Sequence, residues 1–210
     1  MLELKNASLS LGGKQLFHNL SLMVNKGDIL CVSGISGVGK TSLLRTILGF
    51  QPLDNGYITI DGEPVTAASA ETFRRMMAYV PQELALPHEE VKEMVEVPFL
   101  LKANSNQPFT KSKLMHEWTK LGLEPALYDM KVSEVSGGQR QRIMLSVAGL
   151  LQKPILLVDE PTSALDTDSS VMVADYLREQ ARGGAMIIAV SHDEAFASRC
   201  DKIVKLVIND

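Results

Sequence analysis

Cysteine is nearly missing: Cys31 and Cys200 are the two in 210 residues. Two thiols so far apart in the chain exclude a disulfide framework or a cysteine-based metal cluster, and a reducing compartment suits them. Both read as small buried apolar residues. There is no excess of positive charge, since 21 Lys and Arg against 25 Asp and Glu leave a net charge of -4. That balance gives no electrostatic footprint for nucleic acid, which calls for a basic stripe, and no nucleic-acid partner is expected. No apolar run approaches the ~20 residues of a membrane span; the strongest, "AMIIAV" at 185–190, has the length of a core strand. The opening "MLELKNASLSL" has no basic segment followed by an apolar one, so it does not read as a secretory signal. Repeats and low-complexity tracts are also absent. The composition, with 45% apolar and 22% charged residues, is that of an ordinary soluble globular domain. The length fits one compact domain, or one with a sizeable insertion. The chain stops directly after its last predicted strand, so no appended regulatory domain is expected.

Along the chain, "LELKNASLSL" (2–11) and "LFHNLSLMV" (16–24) alternate apolar and polar residues. They predict antiparallel strands around the turn "GGKQ". "DILCVSG" (28–34) is more continuously apolar, as a strand buried on both faces should be. A helix, "KTSLLRTILGF", follows at once. "QPLDNG" is a turn, "YITIDG" a short strand, and a helix near "AETFRRMMA" leads into the short strand "AYVPQ". From about 88 to 150 the pattern is helical, with the polar tract "ANSNQPFT" between two of its helices. Strand character then returns in "PILLVDE", "AMIIAVS" and "KIVKLVI", with helices between them. Strand–helix–strand units on both sides of a helical block predict a single α/β domain. Residues 1–82 and 151–210 form its core and about 83–150 its helical insertion.

"GISGVGKT" at 34–41 fits G-x-x-x-x-G-K-[ST], between a buried strand and a helix. Its glycines let successive backbone N–H groups curl inward toward phosphate oxygens, and the helix N-terminus adds its dipole. Gly34, Ile35, Ser36, Gly37, Val38 and Gly39 form the candidate cradle, with Lys40, Thr41 and Ser42 behind it. Lys40 supplies a charge toward the β- and γ-phosphates, and the Thr41 hydroxyl is placed to ligate Mg²⁺. The apolar strand "ILLVDE" (155–160) ends in Asp159 and Glu160. In a parallel sheet the ligand sits beyond the carboxyl ends of the strands, where these acids and the cradle meet. Asp159 suits an aspartate that serves Mg²⁺, and Glu160 suits a base that takes a proton from the attacking water.

One stretch is then left over. "SEVSGGQRQRIMLSVAGLL" (133–151) is a second anion-binding helix start, in a chain that already has a cradle. Its core "VSGGQ" resembles the signature motif of ATP-binding cassette (ABC) ATPases. Gln82 in "YVPQ" is similar to that family's Q-loop, "SALD" at 163–166 to its D-loop, and His192 in "AVSHD" to its switch histidine. With the cradle and the carboxylates, six motifs stand in the family's order over residues 34–192. His18, His88 and His116 read as surface residues.

The resemblance implies a P-loop NTPase (RecA-like) core, an antiparallel β-subdomain and an inserted α-helical signature subdomain. It also implies that two cassettes, a homodimer, bury two ATP head to tail, each ATP lying between one subunit's cradle and the other's signature helix. Ser136 would donate to a γ-phosphate oxygen, Gly137, Gly138 and Gln139 would lie against it, and Asp166 would couple the two sites across the dimer. Gln82 would contact Mg²⁺ and the attacking water, and His192 would hold the γ-phosphate. The signature helix is expected to anchor through Ile143, Val147, Leu150 and Leu151 on one face. The helical block would pass the motion to an integral membrane permease, placing the chain in the cytoplasm on the inner face of the cell membrane. Two positions depart from the family: Leu11 stands where an aromatic residue usually stacks on adenine, and Val135 where the signature usually begins with leucine. A soluble ABC protein acting on ribosomes or DNA is the alternative, but it usually has paired cassettes or a long coiled-coil insertion. A small-molecule P-loop kinase would leave "SGGQ", "SALD" and His192 unexplained. Within the family, "ETFRRMMAYVPQ" and "FLLKANSNQP" resemble the short cassettes of bacterial metal (iron) exporters.

Overall fold

The computed structural model describes residues 1–82 and 88–207. Strands β1 (Leu2–Leu11) and β2 (Lys14–Val24) form a hairpin. Its turn is Gly12–Gly13 alone, both at positive φ, as a two-residue hairpin turn requires. Lys14 and Gln15, expected in the turn, already belong to β2. Next come β3 (Ile29–Ser33), α1 (Lys40–Ile47), β4 (Asn55–Ile60) and a two-residue strand β5 (Glu63–Pro64) that the sequence pattern did not announce. Helix α2 (Ala70–Arg74) and strand β6 (Met77–Val80) complete the first part of the core. The helical block holds α3 (Val91–Leu100), α4 (Lys111–Lys120) and α5 (Gly137–Leu150). Its expected start at residue 83 lies outside the described residues. Finally come β7 (Ile155–Asp159), α6 (Thr167–Arg182), β8 (Met186–Ser191), α7 (Glu194–Ala197) and β9 (Lys202–Lys205). The last strand was expected to reach residue 208, which lies outside the described residues.

The strands make two sheets, an antiparallel one in the order β2-β1-β4-β5 and a parallel one in the order β6-β7-β8-β3-β9. Period-two alternation explains how the layers stack. Cys31, Val80, Leu156, Val158, Ile187 and Ala189 face the helical block, in one cluster with Val95, Trp118 and Ile143. Their neighbours Leu30, Val32, Leu157, Ile188 and Val190 face α1 and the antiparallel sheet. Both faces of the parallel sheet are thus covered, which is why its strands read as continuous apolar runs. The helical block shares its core with the sheet.

Helix α5 differs from the one-sided anchor expected of it. Ile143 and Val147 are buried and Leu150 and Leu151 half-buried, but Leu145, Ser146, Ala148 and Gly149 are buried too. The helix is sandwiched: Trp118 Nε1 of α4 donates to Ser146 Oγ at 3.1 Å, and Tyr176 of α6 lies over Gly149. Cys31 and Cys200 belong to the same core, Cys31 buried and Cys200 half-buried against it, with the Cys200 thiol directed at the Phe196 carbonyl at 3.6 Å. Among the described residues, no helix is long and apolar enough to cross a membrane.

Candidate active site

The carboxyl ends of β3, β6, β7 and β8 open onto one cleft of about 590 Å³. Leu11, Leu16, Ile35, Ser36, Gly37, Gly39, Lys40, Thr41, Ser42, Gln82, Asp159, Glu160 and His192 line it. Parallel register puts Ser33 level with Ser191 and Asp159 level with Val190, so the loops leaving these strands converge. Gly39 turns the cradle into α1 at φ 107°. A side chain there would be strained by the backbone and would meet Leu16 Cβ at 2.9 Å. Gly34 and Val38 stand behind the cleft wall. Val38 is buried in the core, and the missing Cβ of Gly34 would lie 2.8 Å from the Leu206 carbonyl oxygen.

Asp159 and Glu160 are consecutive at the end of a strand, where alternation would send their side chains to opposite faces. Glu160 adopts φ 49°, a left-handed conformation, and its N–H donates to the Val190 carbonyl at 2.9 Å. That kink brings both carboxylates to the cleft, at the roughly 1–3 kcal/mol such a non-glycine backbone costs. Lys40 Nζ donates to the Gly34 and Ile35 carbonyls at 2.8 and 3.3 Å and pairs with Glu160 Oε1 at 3.1 Å. The other oxygen of Glu160 lies 2.8 Å from His192 Nδ1. Both ends of this Lys40–Glu160 pair are buried, whereas the His192 side chain is 61% exposed. Lys40 and His192 are thus both held by the one carboxylate.

Asp159 is arranged for a cation. Its Oδ2 accepts from Thr41 Oγ1 at 2.8 Å and from the Tyr79 hydroxyl at 3.4 Å. Its Oδ1 is buried with no hydrogen-bond partner among the described residues. An orphaned buried carboxylate oxygen is costly and calls for an ion or a water. Burial pushes the Asp159 carboxyl above its ordinary pKa, while the Thr41 hydroxyl opposes the shift. Among the described residues, no group of three or more His, Cys, Asp and Glu is placed to hold a metal unaided. One carboxylate with a hydroxyl suits Mg²⁺, which keeps several waters and takes further ligands from phosphate. Gln82 also faces the cleft. Burial and the Asp159 charge push the Tyr79 hydroxyl up to about 12, so it remains a donor.

The signature residues are elsewhere. Ser136, Gly137, Gly138, Gln139 and Asp166 do not line the cleft. Ser136 caps α5 in a reciprocal box: its hydroxyl accepts from Gln139 N–H at 3.2 Å, and Gln139 Oε1 accepts from Ser136 N–H at 2.9 Å. Asp166 caps α6, accepting from Ser169 N–H at 2.8 Å, and that bond holds its carboxyl below the ordinary value. The two signature glycines differ. A Cβ on Gly137 would meet nothing within 4 Å, whereas one on Gly138 would lie 2.8 Å from both the Ala164 carbonyl oxygen and Leu165 Cδ2. Gly138 therefore seats the start of α5 against the D-loop of its own chain. Gly137→Ala should raise stability slightly through helix propensity, by up to about 1 kcal/mol. Gly138→Ala should lower it by about 1–3 kcal/mol through overpacking. Denaturant midpoints of the two variants moving the same way would refute this division.

These motifs have counterparts. Residues 17–163 match the family model described as ABC transporter. This chain belongs to the ABC transporter family. It is 34% identical over 209 residues to the spermidine/putrescine import ATP-binding protein of Pasteurella multocida, covering 98% of this chain and 55% of that one. It is 32% identical over 196 residues to the ATP-dependent lipid A-core flippase of Legionella pneumophila, covering 91% and 33%. The chain thus spans about half the length, or less, of such curated relatives. Among solved structures, a dimeric ATP-binding cassette in a post-hydrolysis state bound to ADP and Pi superposes with a TM-score of 0.84 at 25% identity, covering 98% of this chain and 94% of that one. The fold is accordingly the α/β, P-loop fold of ABC cassettes, with the antiparallel sheet and the helical block in the expected places.

Three residues bearing on this ABC cassette's site escaped the sequence reading. Leu16 lines the cleft, Tyr79 reaches Asp159, and Thr162 donates to Asp193 at 2.8 Å. Tyr79 and Thr162 stand inside the quoted "YVPQ" and "EPT" segments, so their proximity to motif residues was the available signal. Leu16 had none, because only the hairpin's fold brings it over Gly39.

Proposed function

We propose that this chain is the ATP-binding and ATP-hydrolysing subunit of an ABC transporter. It works as a head-to-tail homodimer around two ATP and drives a separate integral membrane permease from the cytoplasmic face. One observation carries the reading: Lys40, Thr41, Asp159, Glu160 and His192 converge on a single cleft, while Ser136 and Gly137 stand outside it, capped and unobstructed. A phosphate cradle and an anion-binding helix start that cannot share a ligand within one chain can share it between two.

In this reading the cradle N–H groups and Lys40 bind the β- and γ-phosphates. Thr41 and Asp159, with Gln82, hold Mg²⁺, whose chemistry is to neutralise charge developing on the phosphate oxygens. Glu160 accepts the proton of the attacking water. His192 leaves Glu160 for the terminal phosphate, and the partner subunit closes the site with Ser136 and Gly137. Loss of that phosphate removes the bridge between subunits and loosens the pair. The test is phosphate release from ATP with no acceptor added, together with sedimentation. Mg²⁺-dependent release by a protein that is monomeric without nucleotide is expected. Turnover only with a small-molecule acceptor would replace the reading with a kinase.

Leu11 and Leu16 give the base apolar contact but no ring. ATP and GTP should therefore bind within about threefold of each other, and Leu11→Tyr should tighten ATP about two- to tenfold by stacking. Nucleotide titrations showing strong discrimination by the unmodified protein would contradict this.

A further inference from the structure

Glu160 and His192 sit on two turns that meet at a second place. Thr162, two residues beyond Glu160, is buried at 5% exposure, and its hydroxyl donates to Asp193 Oδ2 at 2.8 Å. Asp193 directly follows His192. Its Oδ1 accepts from the N–H groups of Ala195 and Phe196 at 2.9 and 3.2 Å, which starts α7. Its own N–H donates at 3.0 Å to Ser191 Oγ, which is fully buried at the end of β8. The backbone of His192 is therefore held on both sides. Neither Thr162 nor Asp193 lines the nucleotide cleft; both line a separate cleft of about 320 Å³ with Leu165, Phe196 and Arg199.

We infer that Thr162 and Asp193 are positioning residues: a hydroxyl–carboxylate clasp that keeps the turn bearing Glu160 in register with the turn bearing His192. The inference rests on the hydrolytic reading and deepens it. The direct contact, His192 Nδ1 to Glu160 Oε2 at 2.8 Å, has to break when His192 turns to a phosphate and Glu160 turns to water. The Thr162–Asp193 bond lies behind both side chains and has no such reason to break. It is a hydrogen bond to a charged acceptor, the stronger kind, and Thr162 is buried, so water competes poorly for it. With it in place, the base and the histidine can separate and return without losing their relative placement. Misplacement by about 1 Å can cost a reaction 10²-fold, so a contact outside the cleft can set kcat.

The test uses two variants of the full chain. Thr162→Val keeps the shape and removes the donor, and Thr162→Ser keeps the donor. For Thr162→Val, kcat should fall roughly 10–100-fold with KM for ATP within about twofold. Thr162→Ser should restore kcat to within about threefold of the unmodified protein. Amide hydrogen exchange over residues 193–196, measured without nucleotide, should quicken in Thr162→Val and stay unchanged in Thr162→Ser. Full activity in Thr162→Val, equal damage in both variants, or unchanged exchange in Thr162→Val would each overturn the clasp. The exchange arm also separates the two readings. An unmodified protein that hydrolyses nothing while exchange responds as expected would remove the hydrolytic reading and leave the clasp.

Discussion

Glu160→Gln should lower ATP turnover by at least about 100-fold while ATP affinity holds or rises, in keeping with the 10²–10⁴-fold worth of a positioned general base. The substitution preserves the size of the side chain and its left-handed position at φ 49°. What it removes is a charge with two tasks in the proposed function. One is to accept the proton of the attacking water, which an amide cannot do. The other is visible in the structure, where Glu160 Oε1 is 3.1 Å from Lys40 Nζ and Oε2 is 2.8 Å from His192 Nδ1. In the proposed function ATP draws both groups away, so part of its binding energy goes to breaking this buried pair. A neutral glutamine holds Lys40 more weakly, which leaves the lysine readier for the phosphates and removes some of that opposition. Without ATP the variant should be less stable, because buried Lys40 is left with a poorer partner; saturating ATP should recover the loss by mass action. Phosphate release, nucleotide titration and thermal midpoints with and without ATP check the three parts. Turnover within tenfold of the unmodified protein would take the base role from Glu160.

Much of this site was readable because its chemistry is local in sequence. A cradle needs consecutive N–H groups, so its glycines and Lys40 must be neighbours, and a strand-end acid must follow its strand. The continuous apolar run "DILCVSG" marked a strand covered on both sides, and β3 is so covered. What stayed hidden depends on contacts between distant segments. The buried side of α5 around Ser146 exists because Trp118 hydrogen-bonds to it. Cys31 and Cys200 looked unrelated because 168 residues separate them, yet they pack in one hydrophobic cluster. Gln139, expected against the γ-phosphate, and Asp166, expected to act across the dimer, both hold helix starts. Capping uses the same short-range acceptors that a ligand would use, so sequence spacing cannot separate the two roles.

Mixing Ser136→Arg protein with Lys40→Ala protein should recover activity that neither has alone. Lys40→Ala removes the cradle's charge and leaves Glu160 buried without its cation. Ser136→Arg puts a long charged side chain at an exposed helix start and removes the cap on Gln139 N–H, a loss of about 0.5–2 kcal/mol that should leave each subunit folded. A two-fold dimer of identical chains makes every contact twice, so a shared site occurs in two copies. In either parent homodimer each copy has one damaged half. In a mixed dimer, one copy combines two damaged halves and the other combines the intact cradle of the Ser136→Arg chain with the intact signature of the Lys40→Ala chain. Random pairing makes half of the dimers mixed, each with one good site of two, so recovery should approach about a quarter of the unmodified rate if the sites act independently. Sites complete within one chain would give no recovery at any ratio, because no chain in the mixture is whole. Differential tags must first establish that mixed dimers form; a mixture then as inactive as its parents would leave Ser136 without a phosphate to meet.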